Sequence, residues 1–135
     1  MGVPDPDASV CASHIVDADR RGISSHGVNR MRPFYYERLK KGLQRPVTEM
    51  EVVRESPATA VVDGNFGMGH VIAKRSMGMA IDKAQEFGMG MVAVRNSTHF
   101  GFAGYYTKMA ADEEMIGICG TNARPSVAPT FGTEG

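Results

Sequence analysis

A hydroxyl, an imidazole and a guanidinium lie close together near the start of the chain. They belong to Ser25, His26 and Arg30. An imidazole exchanges protons near neutral pH, and a guanidinium grips a carboxylate through two parallel hydrogen bonds. The stretch therefore predicts a site that moves a proton on a small acid. The alternative is a Ser that only caps a helix beside a surface His, which has the same local sequence.

A second histidine-bearing stretch follows a predicted strand. His99 lies where the chain leaves that strand and enters a helix, and Thr121 and Asn122 follow the next predicted strand. In α/β sheets, ligands bind beyond the carboxyl ends of strands, and helix N-termini favour anions. The pattern predicts that these polar side chains lie close together. The alternative is that His99 caps its helix and that Thr121 and Asn122 form an ordinary turn.

The glycine-rich loop 63–69 offers a competing site. Its glycines are spaced GxxGxG rather than GxGxxG, and no Walker lysine follows them. A loop that cradles a phosphate and a loop that merely turns tightly share this composition. Nucleotide binding at the loop stays open as an alternative, and His70 is predicted to be structural.

Composition limits the function classes. The chain has 135 residues, enough for about one domain, and its 15 basic and 15 acidic side chains cancel. This balance gives no general field to attract nucleic acid. No apolar run is long enough to cross a membrane, and no signal peptide is visible. Cys11 and Cys119 lack metal-site spacing, so we predict no metal and reduced thiols in a cytoplasmic protein.

The elements that must position these residues follow from periodicity and punctuation. We predict a helix from a cap at Asp5 or Asp7 to about Arg21, with His14 on a partly exposed face and Gly22 as its stop. Strand, helix, strand, helix, strand over 59–120 predicts βαβ units with parallel strands. The remaining predictions are a helix at 27–41, a hairpin of 50–54 and 58–62, a helix at 69–87, a buried strand at 89–94, a helix at 101–112 and a strand at 115–119.

Taken together, the motifs resemble the type 2 malate/L-lactate dehydrogenases, a family that includes sulfolactate and ureidoglycolate dehydrogenases and cyclic-imine carboxylate reductases. The resemblance covers nearly the whole chain and implies an α/β fold with N-terminal helices and a mixed sheet with βαβ units. This dehydrogenase fold is not the Rossmann fold, in agreement with the missing GxGxxG. The matching segments, in order, are Asp19–Arg30, Val62–Gly64, Ser97–Tyr106, Thr121–Asn122 and Pro129.

The resemblance implies an NAD(P)-dependent oxidoreductase that transfers hydride between nicotinamide and a small 2-hydroxy or 2-imino acid. His26 resembles the proton donor and acceptor, with Ser25 as its relay partner, and Arg30 resembles the carboxylate clamp. His99 resembles a second site histidine near substrate and nicotinamide, so both histidines stay candidates for proton transfer. Cofactor contacts are expected from His99, Phe100, Gly101, Phe102, Ala103, Thr121 and Asn122.

Domain organisation and partners also follow from the resemblance. We predict an N-terminal helical segment, residues 1–48, and a truncated α/β portion of the cofactor and substrate domain, residues 49–135. Family members are much longer, so the chain resembles a fragment, a split-gene product or part of a longer protein. The expected partners are a small 2-hydroxy or 2-oxo acid and a second copy of the chain, as a homodimer, or a complementing chain. The alternative is a non-catalytic fragment or assembly domain that keeps the fold.

Overall fold

The computed structural model describes residues 1–123 and Gly132. The described part is a mixed α/β structure with helices on a three-stranded sheet. Its elements are helix α1 (Asp5–Arg20), 3₁₀ turns at Ser24–His26 and Val28–Arg30, a π-helical turn at Met31–Tyr36, helix α2 (Glu37–Lys40), strands β1 (Glu51–Glu55) and β2 (Thr59–Asp63), helix α3 (Gly69–Phe87), strand β3 (Met91–Arg95) and helix α4 (Gly104–Asp112).

Helix α1 lies where the sequence predicts it, but two details differ. Pro4 precedes it without a side-chain cap, so the predicted cap by Asp5 or Asp7 is wrong. Asp7 instead accepts a hydrogen bond from Arg75 of α3 at 2.8 Å, which ties the two helices together. His14 is fully buried rather than partly exposed, because α1 packs against α3.

The predicted helix at 27–41 is wrong as a single α-helix. The chain passes instead through two 3₁₀ turns and a π-helical turn before α2. Pro33 explains the break, because it has no N–H for an α-helical hydrogen bond and its ring crowds the preceding turn. The change of pitch also alters the apolar face. Tyr35 is buried, whereas Val28 and Met31, earlier in the same stretch, are exposed.

The three-stranded sheet confirms the predicted hairpin and the first βαβ unit. Strand β1 pairs with β2 antiparallel, and β2 pairs with β3 parallel after the chain has crossed through α3. Helix α3 occupies the predicted residues and packs on both β2 and β3. Strand β3 is largely exposed, so its prediction as a buried strand is wrong. One face of α3 alone covers this edge of the sheet.

The predicted strand at 115–119 does not form in the described part of the chain. This segment lies against α4, where a Cβ added to Gly117 would be 2.7 Å from the backbone oxygen of Thr107. Because the segment lies along α4 rather than beside β3, it makes no ladder hydrogen bonds, and Ile116 is 94% exposed. Helix α4 itself begins at Gly104, after the predicted start at residue 101.

Two further observations concern the described residues alone. None of their helices has the length and apolar character needed to cross a membrane. Cys11 and Cys119 are both free thiols, and burial raises the pKa of Cys11 to about 12. The prediction of a reduced pair therefore agrees with the structure.

Candidate active site

All four histidines of the chain form one cluster, although they come from four separate segments. The His14 and His70 ring centroids are 4.6 Å apart, and those of His26 and His99 are 5.6 Å apart and nearly parallel. Tyr35 joins the two pairs, with its ring centroid 4.9 Å from that of His70 and 5.8 Å from that of His99. The structure thus confirms that the two histidine-bearing stretches converge.

The turn that carries His26 is fixed by Asp19 at the end of α1. The Asp19 carboxylate accepts a hydrogen bond from the Val28 N–H at 2.9 Å. A Cβ added to Gly27 would lie 1.7 Å from an Asp19 carboxylate oxygen, so a side chain there would displace the carboxylate that holds the turn. Within this turn, Ser25 Oγ lies 2.9 Å from His26 Nδ1. The predicted pairing of Ser25 with His26 is therefore present in the structure.

The segment that carries His99 is fixed by the glycine-rich loop. Thr98 Oγ1 donates to the Gly67 oxygen at 2.8 Å and accepts from the Gly69 N–H at 2.9 Å. A Cβ added to Gly69 would lie 2.4 Å from the His99 backbone oxygen. The small residues of the loop therefore allow the backbone before His99 to approach the start of α3.

The same loop has no free N–H groups with which to cradle a phosphate. Every backbone N–H from Gly64 to Gly69 donates to an acceptor within the protein. Those acceptors are, in order, Arg95 O, Asp63 Oδ1, Asn96 O, Gly64 O, Thr48 Oγ1 and Thr98 Oγ1. A phosphate needs several unpaired donors converging on one point. The described geometry therefore excludes the nucleotide-binding alternative at this loop.

Arg30 gives the cluster a positively charged edge. Its Nε donates to the Ser25 backbone oxygen, and its guanidinium carbon lies 4.7 Å from the centre of the Phe34 ring. Arg38 lies 5.5 Å from the same ring, and the Phe34 and His99 ring centroids are 5.0 Å apart. Neither arginine forms an ion pair with an acidic side chain of the described residues. Two cations next to two imidazoles suit an anionic ligand.

Backbone atoms of the segment after His99 form hydrogen bonds with buried side chains. The Phe102 N–H donates to His14 Nε2 at 3.0 Å, and the Tyr106 hydroxyl donates to the Phe100 oxygen at 2.5 Å. Phe102 is only 8% exposed and packs on His14, so it supports the segment from the inside. Phe100, Gly101 and Ala103 stay partly exposed.

Thr121 and Asn122 are not joined to the cluster. Both are exposed, and the side chain of Thr121 reaches only the backbone oxygen of its neighbour Asn122, at 3.4 Å. No hydrogen bond of the described residues connects them to His26 or His99. Their predicted part in the cofactor site stays a prediction, and Pro129 of the same stretch lies outside the described residues.

Burial keeps the histidines neutral at physiological pH. Desolvation, followed by the positive influence of His26, Arg38 and Arg30, lowers the pKa of His99 to about 4. Burial and then Arg30 lower the pKa of His26. A charged imidazole is disfavoured both by low polarity and by nearby cations. His26 and His99 are therefore present as neutral imidazole rings rather than as cations.

Several residues of the site were missed or misjudged at the sequence level. Arg38 and Tyr35 carry no motif in the sequence that marks them as site residues. Arg38 lies eight positions after Arg30, and this roughly two-turn spacing is the one signal that places both on one side. His14 gave no signal at all, because its burial depends on contacts made by Phe102 and Tyr105.

The cluster is separate from the cavity of the described structure. A cavity of about 590 Å³ lies between α1 and α4 and is lined by residues such as Asp17, Arg20 and Tyr105. None of the four histidines lines it. The chemistry-bearing groups, not the volume of this cavity, locate the candidate site.

The described residues thus combine a mixed α/β fold with two neighbouring neutral imidazoles and two guanidiniums that form no ion pair among them, an arrangement suited to acid–base chemistry on a small anion. The family model described as malate/L-lactate dehydrogenase matches residues 1–135, and the chain belongs to this family. The fold and the family membership agree with the resemblance found in the sequence.

Named relatives are similar along almost the whole chain. It is 49% identical to the L-sulfolactate dehydrogenase of Methanocaldococcus jannaschii over 99% of its length and 39% of the relative. It is 48% identical to the malate dehydrogenase of Pyrococcus horikoshii, over 99% of this chain and 37% of that one. The crystal structure of malate dehydrogenase from Entamoeba histolytica superposes with a TM-score of 0.90 at 51% identity, covering 97% and 36% of the two chains. The chain thus spans less than two fifths of these relatives.

Proposed function

We propose that the protein is an NAD(P)-dependent oxidoreductase that transfers hydride between nicotinamide and a small 2-hydroxy acid such as malate or lactate. The observation that carries the proposal is the convergence of His26 and His99, 5.6 Å apart by ring centroid, beside the guanidinium of Arg30. The similar proteins are named as malate and sulfolactate dehydrogenases, whose substrates share a carboxylate next to a hydroxyl carbon.

Arg30 is assigned to the substrate carboxylate. Its Nε is engaged by the Ser25 backbone oxygen, which leaves the two terminal nitrogens as a fork of donors. Such a fork matches the two oxygens of a carboxylate. Arg38 adds a second positive charge near the Phe34 ring, with its guanidinium carbon 5.5 Å from the ring centre. The pair attracts an anionic substrate and orients its carboxylate end.

His26 and His99 are assigned to the hydroxyl end. In the oxidation direction, one of the two neutral rings takes the hydroxyl proton while the carbon loses hydride. Ser25 holds His26 through Nδ1 and so leaves Nε2 for the substrate. In the reduction direction, the protonated form of the same ring returns the proton to the new hydroxyl.

The described residues fit a nicotinamide ring beside His99. Phe100, Gly101 and Ala103 present a partly exposed, largely apolar surface next to the imidazole, and no acidic side chain of residues 1–123 forms an ion pair with Arg30 or Arg38. A flat ring stacks well on such a surface. A nicotinamide bound there supplies the hydride acceptor of the oxidation. Phe102 supports the segment from below through its contact with His14.

The test is turnover of a panel of 2-oxo acids by the intact protein, with NADH and NADPH supplied separately. We expect oxidation of the reduced cofactor with at least one acid of the malate, lactate or sulfolactate type. Cofactor binding without turnover of any acid, including 2-imino acids, would contradict the proposal and support the non-catalytic assembly alternative. The Arg32→Ala variant, which removes an exposed arginine near the site, should turn over the same acids as the unmodified protein.

A further inference from the structure

The Tyr35 hydroxyl lies between two imidazoles. It is 3.1 Å from His70 Nε2 and 2.9 Å from His99 Nδ1, and Tyr35 is 4% exposed. A phenol carries a single proton, so it donates to one ring and accepts from the other. Burial raises the pKa of Tyr35 above its ordinary value, so the hydroxyl keeps that proton. The direction of this hydrogen-bond chain decides which nitrogen of His99 carries hydrogen.

Two backbone N–H groups set the direction, because a backbone N–H only donates. The Gly101 N–H points to His99 Nδ1 at 3.4 Å, which makes Nδ1 the unprotonated nitrogen of the neutral ring. The Phe102 N–H donates to His14 Nε2 at 3.0 Å, so neutral His14 carries its hydrogen on Nδ1. The tautomers of His99 and His14 are thereby assigned from protein geometry alone.

The hydrogen positions of Tyr35 and His70 follow from the tautomer of His99. Because His99 Nδ1 is an acceptor, Tyr35 donates to it, and His70 Nε2–H donates to the Tyr35 oxygen. His70 then has a bare Nδ1. This atom and His14 Nδ1 are both buried without a partner among the described residues, on rings whose centroids are 4.6 Å apart.

The two unpartnered nitrogens support this direction. With the hydrogens placed as above, the two unpartnered atoms are one donor, His14 Nδ1–H, and one acceptor, His70 Nδ1, on neighbouring rings. The opposite direction would place an N–H on both atoms, leaving two buried donors with nothing to accept them. A buried donor without an acceptor is disfavoured, because it has given up its hydrogen bonds to water. The hydrogen bonds from His70 to Tyr35 and from Tyr35 to His99 therefore both run toward the candidate site.

We propose that Tyr35 and His70 are positioning residues that hold His99 as the neutral tautomer with hydrogen on Nε2. Among the described residues nothing accepts from His99 Nε2, and that atom is not buried, so its N–H is available to a ligand. The inference rests on the proposed function only for the identity of that ligand. There, Nε2–H donates to the reacting oxygen of the 2-hydroxy or 2-oxo acid.

The tautomer of His99 gives His99 and His26 different roles in the proposed reaction. A neutral ring with hydrogen on Nε2 cannot accept a second proton at that atom, so His99 holds the reacting oxygen rather than deprotonating it. In oxidation the O–H bond breaks, its proton passes to His26 Nε2, the carbon–oxygen double bond forms, and the C–H electron pair leaves as hydride to the nicotinamide. His26 takes this role as the tautomer whose Nδ1–H donates to Ser25 Oγ, 2.9 Å away, which leaves Nε2 as the proton acceptor.

The tautomer is measured directly by long-range proton–nitrogen correlation spectra of the intact, nitrogen-15-labelled protein at neutral pH. We expect the His99 signals of a ring protonated on Nε2, assigned by their loss in His99→Gln. The Tyr35→Phe variant, which removes one oxygen atom, should show His99 as a mixture of tautomers. Hydrogen on Nδ1 in the unmodified protein, or an unchanged His99 spectrum in Tyr35→Phe, would overturn the inference. Tyr36→Phe is the matched control, because Tyr36 is exposed.

Kinetic measurements distinguish a positioning role of His70 from a general effect on protein stability. His70→Gln keeps an N–H near the position of Nε2 and should retain both the His99 tautomer and kcat, whereas His70→Leu should lose both, with kcat reduced up to roughly 100-fold. KM for the acid should change little, because Arg30 is untouched. Equal losses in both variants would contradict a role in hydrogen bonding. A correct tautomer in a protein that turns over no acid refutes the proposed function alone, and turnover with the wrong tautomer refutes this inference alone.

Discussion

At the scale of single residues, Arg30 differs from the other arginines of the site in how its nitrogens are used. Its Nε is anchored on the Ser25 oxygen and its plane is steadied by the Phe34 ring, while its terminal nitrogens have no acidic partner among the described residues. An anchored guanidinium loses little further side-chain entropy when it binds a carboxylate. Arg30 is therefore held in place by its neighbours, which suits the carboxylate-binding role that we propose for it.

Arg30→Ala should weaken acid binding far more than cofactor binding. The expected loss is about 2 to 5 kcal/mol in kcat/KM for the acid, the range for truncating one partner of a buried charge pair. Steady-state kinetics with the acid varied, and cofactor titration by fluorescence, measure the two effects. Arg32→Ala should leave both within experimental error. An unchanged Michaelis constant for the acid in Arg30→Ala would remove Arg30 from the substrate site.

The pKa of His26 provides a second residue-scale prediction. Burial and then the Arg30 charge lower it, so Arg30→Gln should raise it toward the ordinary value of a histidine. The shift is read from the proton resonance of the His26 ring as pH is varied, with Arg32→Gln as the control. Because oxidation needs the neutral ring, the acidic limb of the rate profile should move to higher pH in the same variant. A His26 midpoint that does not move would show that Arg30 lies too far away to act on it.

At the scale of elements, the turn between β3 and α4 depends on Gly101. Its φ is +80°, a conformation that side chains rarely adopt. A Cβ at this position would also lie 2.1 Å from His14 Nε2, the atom that accepts from Phe102. The residue predicted to touch cofactor thus has a demonstrable structural role in the described residues, whatever else it contacts.

Gly101→Ala should destabilise the protein by roughly 2 to 4 kcal/mol, the sum of backbone strain and overpacking. Gly78→Ala in the middle of α3 is the matched control, because nothing lies within 4 Å of its Cβ position. That change should stabilise by about 0.5 to 1 kcal/mol through helix propensity. Urea unfolding monitored by circular dichroism measures both. A neutral Gly101→Ala would mean that the turn has an alternative conformation.

The sequence predicted most elements but not the irregular stretch between α1 and β1. Helix α3 and the hairpin were predictable because their apolar periodicity and turn residues are local signals. The helix at 27–41 failed because Pro33 was not weighed, and with it the face that carries Tyr35. The strand at 115–119 failed because alternation gives strand conformation but not a partner.

The chemistry-bearing residues of the candidate site were predictable from the sequence, but the residues that hold them in place were not. Ser25, His26, Arg30 and His99 carry local motifs that name their chemistry. His14 and His70 contribute through contacts between α1, α3 and the turn after β3, and no spacing in the sequence encodes such contacts. Residues that touch a ligand leave short motifs, whereas residues that orient them depend on packing.

At the scale of the whole molecule, the histidine cluster joins four segments. His14 lies on α1, His26 in the first 3₁₀ turn, His70 on α3, and His99 between β3 and α4. His14 and His70 occupy the fully buried end, with exposures of 0% and 1%. Assembly of the candidate site therefore accompanies packing of α1 on α3, and charging the buried rings opposes it.

This coupling predicts that acid destabilises the fold through its histidines. Burial lowers the pKa of His14 to about 4 and that of His70 to about 3, whereas both titrate near 6.5 in the unfolded chain. Between about pH 6.5 and about pH 4, His14 and His70 are protonated in the unfolded state but neutral in the native state. The free energy of unfolding therefore falls as pH falls. Each such ring contributes up to about 1.4 kcal/mol per pH unit.

The His70→Gln variant should flatten the slope of unfolding free energy against pH by the contribution of one ring. Urea titrations from about pH 6.5 to about pH 4.5 measure this slope. His26→Gln, at a partly exposed position, should flatten it less. Parallel slopes for His70→Gln and the unmodified protein would show that His70 is protonated in the native state, and the neutral hydrogen-bond chain through Tyr35 would then be wrong.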